Sequence, residues 1–334
     1  LMRRSMVTNR IFAAFVIAVF ASGGVAEAKK KKKKSAKVQK LTAGGPQLKY
    51  EQFRRKIEFK VAEKREEQIQ GIQRLIELGP DKKELPDLKF RQAELIIEKS
   101  RFYFFRAQEK DDQMIRSNVQ ADKDRLEAEK KQNLQETKIW ANEAADVYRE
   151  IRDKYPKYER MPEVLFALGQ SYWNQTRYSQ AIEVYRELIV NFRESPLVAE
   201  AWIAFGEYYF SEGDVNRALK SYEKAAEDKK SRVYGFALYK QAWCYYNLSE
   251  WKEALRKFKA TVLYSQLAEE LSGENKIALG REATKDYVRT YAHVGNEKRA
   301  KYQLADLIGT DDCKGERCRK LLEQLANLWF DAGY

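Results

Sequence analysis

The sequence predicts an all-α protein built from stacked helical hairpins. A pattern of small and aromatic residues recurs within residues 162–261, where the marker alanines Ala181, Ala218 and Ala254 are spaced 37 and 36 residues apart. A fixed period of this size is typical of helix-turn-helix repeats, whose units are about 34 residues long. The chain also has only 6 prolines among 334 residues, and no run of alternating apolar and polar residues predicts a strand.

Residue size explains the repeating pattern. Two antiparallel helices can approach closely where one presents Gly or Ala and the other presents a large ring. We expect Gly169, Gly206 and Ala242 to provide these gaps in the first helix of each pair, and the marker alanines to provide them in the second. The middle pair has a helix-ending Gly213 and a capping Asp214 in its turn.

These residues resemble the tetratricopeptide repeat. The resemblance rests in the first copy on Leu165, Leu168, Gly169, Tyr172, Ala181, Tyr185 and Leu188, and in the second on Trp202, Phe205, Gly206, Tyr209, Ala218, Tyr222 and Ala225. It implies an α-solenoid, a right-handed superhelix of helix pairs whose concave side binds a segment of another protein. A fourth, looser repeat is expected around Tyr291, Gly295 and Ala300.

The resemblance also implies a partner-binding groove lined by first-helix residues next to the packing positions. Carried onto this sequence, the positions are Phe166, Gln170, Trp173, Asn174, Ile203, Glu207, Phe210, Tyr239, Trp243 and Tyr246. Their many rings favour an apolar or amphipathic protein segment as the ligand. The alternative is that these rings only pack helix against helix.

Residues 1–28 predict an export signal. Basic residues precede the apolar run 11–21, and Ala26 and Ala28 occupy the two positions that a signal peptidase reads. We expect cleavage after Ala28 and a mature protein in the bacterial periplasm, free or associated with the outer membrane or cell wall. The alternative is a retained anchor, although the apolar run is shorter than the ~20 residues that span a bilayer comfortably.

Residues 29–49 form a lysine-rich arm with 9 lysines, six of them in the unbroken run Lys29 to Lys34, and no acidic residue. Such a segment predicts disorder. The arm contributes +9 and residues 1–28 contribute +2 to the net charge of +13, which leaves +2 for residues 50–334. A nearly neutral folded part does not predict nucleic-acid binding. The arm predicts attachment to anionic lipid or cell-wall polymer, and the alternative is a solvated linker.

The rest of the chain divides into residues 50–160 and residues 161–334. The first part is expected to hold helical repeats with a charged helical insertion at about 107–138, either a long hairpin extension or a partly mobile segment, with a short coiled-coil contact as a further interpretation. The second part is the repeat solenoid. Because residues 327–334 align with residues 207–214, we expect the array to stop within a repeat and the sequence to be a piece of a longer protein, unless a partner covers that end.

The residue pattern does not predict an enzyme, a cofactor or a metal site. There is no phosphate-binding Gly-rich loop or dinucleotide fingerprint, and His293 is the single histidine. Cys313 and Cys318 flank a short polar loop and predict a local disulfide in an exported protein, whereas Cys244 is expected to be a buried free thiol.

The sequence therefore predicts a non-catalytic periplasmic scaffold that binds another envelope protein or peptide segment. Its exported repeat character resembles the repeat proteins that accompany outer-membrane assembly, the Tol-Pal division machinery or deltaproteobacterial gliding motility. The alternative function is binding to the cell wall or an anionic lipid surface through the lysine-rich arm.

Overall fold

The computed structural model describes residues 47–272 and 278–333, which form twelve α-helices and contain no strand. The helices are α1 (Gln47–Glu77), α2 (Leu85–Arg116), α3 (Gln120–Lys154), α4 (Met161–Asn174), α5 (Tyr178–Asn191), α6 (Val198–Ser211), α7 (Val215–Ala225), α8 (Tyr234–Asn247), α9 (Trp251–Ser272), α10 (Ala278–Val294), α11 (Glu297–Leu307) and α12 (Glu316–Asp331). The all-α prediction is therefore confirmed over these ranges.

The N-terminal predictions fall mostly on residues that the structure does not describe. The export signal, with Ala26 and Ala28, and residues 29–46 of the lysine-rich arm lie outside the described residues. Helix α1 begins at Gln47, so residues 47–49 belong to a helix rather than to the arm. In the sequence, Pro46 directly precedes the first helical residue, and proline is common at helix starts.

Helices α4 to α9 form three hairpins in which α4 packs on α5, α6 on α7 and α8 on α9. The predicted size pattern is confirmed in the first two. A Cβ atom added to Gly169 would lie 2.6 Å from Cε1 of Tyr185, and one added to Gly206 would lie 2.3 Å from Cε1 of Tyr222. Both tyrosine rings are fully buried, so the glycines let the rings pack against the first-helix backbone.

The hairpin turns share a left-handed residue at corresponding positions. These residues are Thr176, Gly213 and Ser249, with φ angles of 61°, 79° and 62°. The prediction that Gly213 ends a helix is confirmed. The capping prediction is confirmed as well, because Asp214 Oδ1 accepts a hydrogen bond from the backbone N–H of Arg217 at 2.9 Å. The other two turns reach the same conformation without glycine.

Helices α2 and α3 form a hairpin of 32 and 35 residues. Near its base the rings of Phe90 and Tyr148 lie 5.8 Å apart. The charged stretch 107–138 forms the distal part of both helices, which Lys130 and Asp111 join by a 2.8 Å ion pair. No helix in the described ranges is long and apolar enough to cross a bilayer.

Beyond the three central hairpins, helices α10, α11 and α12 continue the apolar core. In the fourth repeat, Val288 is fully buried and Ala300 is 3% exposed. Cys313 in the α11–α12 loop and Cys318 in the first turn of α12 form a disulfide, with 5.1 Å between their Cα atoms. Cys244 is a buried free cysteine, and burial raises the pKa of its thiol to about 12.

Candidate protein-interaction surface

The predicted groove positions fall into three rows along the first helices α4, α6 and α8, each with spacings of 37 and 36 residues. The first row is Phe166, Ile203 and Tyr239; the second is Gln170, Glu207 and Trp243; the third is Trp173, Phe210 and Tyr246. Asn174 follows the third row. Because each row repeats in register with the hairpins, its members occupy equivalent places in successive repeats.

The first row is mostly closed to a ligand. Phe166 and Ile203 are each only 7% exposed, and the Phe166 ring packs against Tyr185 of α5 at a centroid distance of 5.7 Å. For these two positions the helix-packing alternative is right and the groove prediction is wrong. Tyr239 is partly buried, and its hydroxyl donates a hydrogen bond to Asp286 Oδ2 of α10 at 2.7 Å.

Glu207 in the second row is also buried, and it pairs with a cation inside the protein. Its Oε1 atom lies 2.9 Å from Nζ of Lys240 on α8 and accepts a 2.5 Å hydrogen bond from the Tyr222 hydroxyl. Glu207 and Lys240 are 8% and 9% exposed. Burial, followed by the nearby carboxylate, raises the pKa of the Tyr222 hydroxyl. The prediction that Glu207 lines an open groove is therefore wrong.

Three rings surround the Lys240 ammonium group. Their centroids lie 4.9 Å away for Phe210, 5.7 Å for Phe236 and 5.9 Å for Tyr222. Ring faces attract a cation at these distances, and Glu207 supplies the compensating charge. Phe210 and Phe236 are partly buried. This part of the surface therefore presents two rings next to the Lys240 ammonium group, whose charge Glu207 compensates.

Two further polar contacts tie consecutive repeats together. Arg232, just before α8, donates to both carboxylate oxygens of Glu200 on α6, with Nη2 to Oε2 at 2.6 Å. Asp286 on α10 accepts from Tyr239 and lies 3.0 Å from Nη1 of Arg289. Burial raises the pKa of the Glu200 and Asp286 carboxyls, and their hydrogen-bonded partners oppose this shift. The first-helix layer is thus joined by polar pairs within the protein.

The third row remains partly exposed in all three repeats. Trp173 packs against Tyr178 and Tyr246 against Trp251, each at a centroid distance of 4.9 Å. In both cases the partner ring lies at the start of the second helix of the same hairpin. Asn174 is exposed beside this row, whereas Gln170 and Trp243 of the second row are partly buried.

His293 on α10 lies beside Tyr246 of the third row. Its exposed ring stacks on Trp251 with 4.2 Å between centroids and 8° between planes. Its Nε2 atom lies 3.1 Å from the Tyr246 hydroxyl. The Tyr246 ring also packs against Trp243 at 5.2 Å. The single histidine is therefore part of an aromatic cluster that joins α8, α9 and α10.

The sequence analysis missed Lys240, Arg232, Phe236 and Asp286. A signal for Lys240 is present, because it is the only charged residue in helix α8, which is mostly apolar and aromatic. A charge buried among rings needs a partner of opposite sign, and Glu200 and Glu207 are the only charged residues of α6. In the described part of the chain, no group of three or more His, Cys, Asp or Glu residues is arranged to hold a metal ion.

The stacked hairpins with their small-residue and ring contacts define an α-helical repeat protein. Two tetratricopeptide-repeat family models match the chain, one at residues 166–233 and one at residues 236–263. These segments are therefore tetratricopeptide repeats, as the sequence analysis predicted. Such repeats suggest a protein-interaction scaffold, and the fold is typically non-catalytic.

Comparison with solved structures gives distant similarity. BtubC (BKLC) from P. vanneervenii is 17% identical and has a TM-score of 0.42, with 59% of this chain and 83% of BtubC covered. Two crystal structures of nearly identical TPR-like repeats from Podosopora anserina are 13% identical, with TM-scores of 0.38 and 0.37. Both matches cover 58% of this chain, and they cover 88% and 89% of the respective Podosopora anserina chains. No curated protein matches the chain in sequence.

Proposed function

We propose that this protein is a non-catalytic scaffold that binds a segment of another protein on the first-helix surface of its repeats. The observation that carries the proposal is the third row, Trp173, Phe210 and Tyr246, in which each of three repeats presents a partly exposed ring at the same position. A ring needed only for packing is enclosed, as Phe166 is. Large rings at the edge of a packed surface are effective anchors for a protein ligand.

The ligand that fits this surface is an apolar or amphipathic segment. Lys240 and Arg232 are paired with Glu207 and Glu200, so these two cations do not require a carboxylate from the ligand. Phe210 and Phe236 flank the neutralised Lys240 ammonium group. An apolar side chain placed on these rings would leave no buried charge without a partner.

We further propose that the scaffold acts in the bacterial periplasm and that its partner is another envelope protein. The export signal in residues 1–28 supports this location, and the Cys313–Cys318 disulfide fits an oxidising compartment. Expression with the native N-terminus should yield a periplasmic protein that starts at Lys29. Intact-mass measurement of the periplasmic fraction tests this, and a retained N-terminus would contradict it.

Site-specific photocrosslinking in cells tests the binding surface. A photoreactive amino acid replaces Trp173, Phe210 or Tyr246 in turn, and Val190 or Tyr302 in control variants. The control side chains are exposed on second helices α5 and α11. We expect the same discrete adduct from the three first-helix positions and none from the controls. Equal adducts from both sets would overturn the proposed surface.

The lysine-rich arm supports the second candidate function, because nine positive charges without an acid attract anionic surfaces. Deletion of residues 29–40 separates the two functions. A scaffold should keep its crosslinks after the deletion. A surface-binding protein should lose salt-sensitive sedimentation with anionic vesicles or cell-wall fragments.

A further inference from the structure

Residues 60–77 of helix α1 lie against α2 without being enclosed themselves. Among the side chains described from Lys60 to Leu78, none is buried. On α2, by contrast, Gln92 and Leu95 are only 8% and 2% exposed. A helix with few enclosed contacts has little to hold it in place and belongs to the less stable parts of a fold.

The two helices run antiparallel and meet through polar pairs. Gln92 Nε2 donates a 2.7 Å hydrogen bond to Gln73 Oε1. One end of the contact joins Lys99 Nζ to Glu66 Oε2 at 2.5 Å, and the neighbouring pair Arg65 and Glu98 lies 3.4 Å apart. Arg65 and Glu66 of α1 therefore face Glu98 and Lys99 of α2, and each basic residue pairs with an acidic one.

The surface under α1 also has apolar and aromatic parts. Leu95 lies one turn from both Gln92 and Lys99, on the same side of α2. The Lys99 ammonium lies 3.4 Å from the centroid of the Trp140 ring on α3, and Arg65 of α1 lies 5.9 Å from the Phe102 ring. On the α1 side, Ile69, Ile72 and Ile76 remain partly exposed.

The connection between α1 and α2 is suited to a change of partner. It contains Gly79, whose φ of +72° lies in the left-handed region with no atom within 4 Å of an added Cβ. Leu78 beside it is 81% exposed. A short segment with a glycine in this conformation can absorb a large change in chain direction.

We propose that the face of α2 formed by Gln92, Leu95, Lys99 and Phe102 is a helix-docking surface that α1 of a second copy of this chain can occupy in place of its own α1. The charge pattern carries this proposal, because Arg65 and Glu66 are complementary to Glu98 and Lys99 whichever copy supplies them. The ion pairs are partly exposed to solvent, so salt weakens the internal docking. Exchange of α1 then links two copies of the chain through their N-terminal helices.

Mixed variants that each carry one added cysteine test this exchange in the full chain. Equal amounts of Gln73→Cys and Gln92→Cys proteins are mixed at raised salt, returned to low salt and treated with a short bis-maleimide crosslinker. We expect a covalent dimer of the two variants. The control mixture pairs Gln73→Cys with Glu127→Cys, whose side chain is 63% exposed on the distal hairpin, and should give no dimer above background. Equal dimer formation in both mixtures would overturn the proposal.

A matched pair of charge variants tests the cause. Glu66→Gln removes the pair with Lys99 in the closed and the exchanged arrangement alike, so we expect amide exchange in α1 to rise about fivefold and the mixed dimer to form faster. Glu67→Gln removes an exposed pair with Lys64 within α1 and should change neither. If Glu66→Gln accelerates amide exchange but the mixed dimer forms no faster than with Glu67→Gln, α1 opens without exchanging between copies and the proposal fails.

Discussion

Glu207 on α6 and Lys240 on α8 form a buried ion pair, with 2.9 Å between Oε1 and Nζ, that joins the first helices of two consecutive repeats. The Tyr222 hydroxyl donates a hydrogen bond to the same carboxylate oxygen at 2.5 Å. Because both charges are removed from water, each depends on the other for compensation. The pair therefore fixes how the second and third hairpins stack.

Removal of one partner of this pair should destabilise the protein strongly. Lys240→Met leaves the Glu207 side chain buried without its partner, and Glu207→Gln leaves Lys240 without its counterion, so we expect each to lower the free energy of unfolding by about 3–5 kcal/mol. The double variant should lose less than the sum of the two. Urea denaturation measures these differences in stability.

The control is Lys285→Met, which breaks an exposed pair with Glu282. It should change stability by less than about 0.5 kcal/mol. Equal effects from all single variants would contradict the prediction.

Gly206→Ala should destabilise the second hairpin. The new Cβ would lie 2.3 Å from Cε1 of Tyr222, a fully buried ring whose hydroxyl is held by Glu207. We expect a loss of about 1–3 kcal/mol and faster amide exchange in α6 and α7. The control is Gly71→Ala in α1, where an added Cβ meets no atom within 4 Å and helix propensity should make the change neutral or favourable by up to about 1 kcal/mol. Similar destabilisation by both variants would show that loss of glycine, and not the contact with Tyr222, is the cause.

The repeat architecture could be predicted from the sequence because its cause is local. A small residue and a ring fixed distances apart determine how two helices of one hairpin meet, as Gly169 and Tyr185 show. The left-handed turns were harder to predict. Only the turn at Gly213 carries the usual residue, whereas Thr176 and Ser249 adopt the same conformation at the corresponding turns.

The candidate surface was only partly predictable, because exposure depends on how neighbouring hairpins approach. Phe166 and Trp173 lie on the same helix and both carry rings, yet one is enclosed and the other is partly exposed. The partners Glu207 and Lys240 are 33 residues apart in the sequence. The residue pattern within either helix does not predict that their side chains are in contact. A lone charge in an apolar helix was the available signal that they would meet.

The buried Asp286 should make stability depend on pH in the acidic range. Burial raises its pKa above the ordinary value, which is about 3.9, so the folded protein holds this proton more tightly than the unfolded chain does. Its contribution to the free energy of unfolding is fully present below about pH 4 and is lost as pH rises through the raised pKa. Asp286→Asn keeps an acceptor for the Tyr239 hydroxyl and removes this titration.

We therefore expect the unfolding free energy of the wild type to fall relative to that of Asp286→Asn as pH rises above about 4. Urea denaturation at several pH values between 4 and 7 measures the difference. Asp311→Asn, in the exposed α11–α12 loop, controls for the loss of a carboxylate. A difference that stays constant or changes in the opposite direction would contradict the assignment to Asp286.

Glycine at the two non-glycine turns should stabilise the solenoid. Thr176 and Ser249 have φ angles of 61° and 62°, a region in which a side chain is unfavourable and a β-branched one especially so. Thr176→Gly and Ser249→Gly remove this strain, although glycine also adds freedom to the unfolded chain. We expect the free energy of unfolding to rise by about 0.5–1 kcal/mol for each variant, with the larger gain for Thr176→Gly.

Gly213→Ala is the reverse change at the equivalent turn, where φ is 79°, and should lower the free energy of unfolding by about 1 kcal/mol. Thermal unfolding of the three variants checks the prediction, which fails if the glycine variants lose stability as Gly213→Ala does.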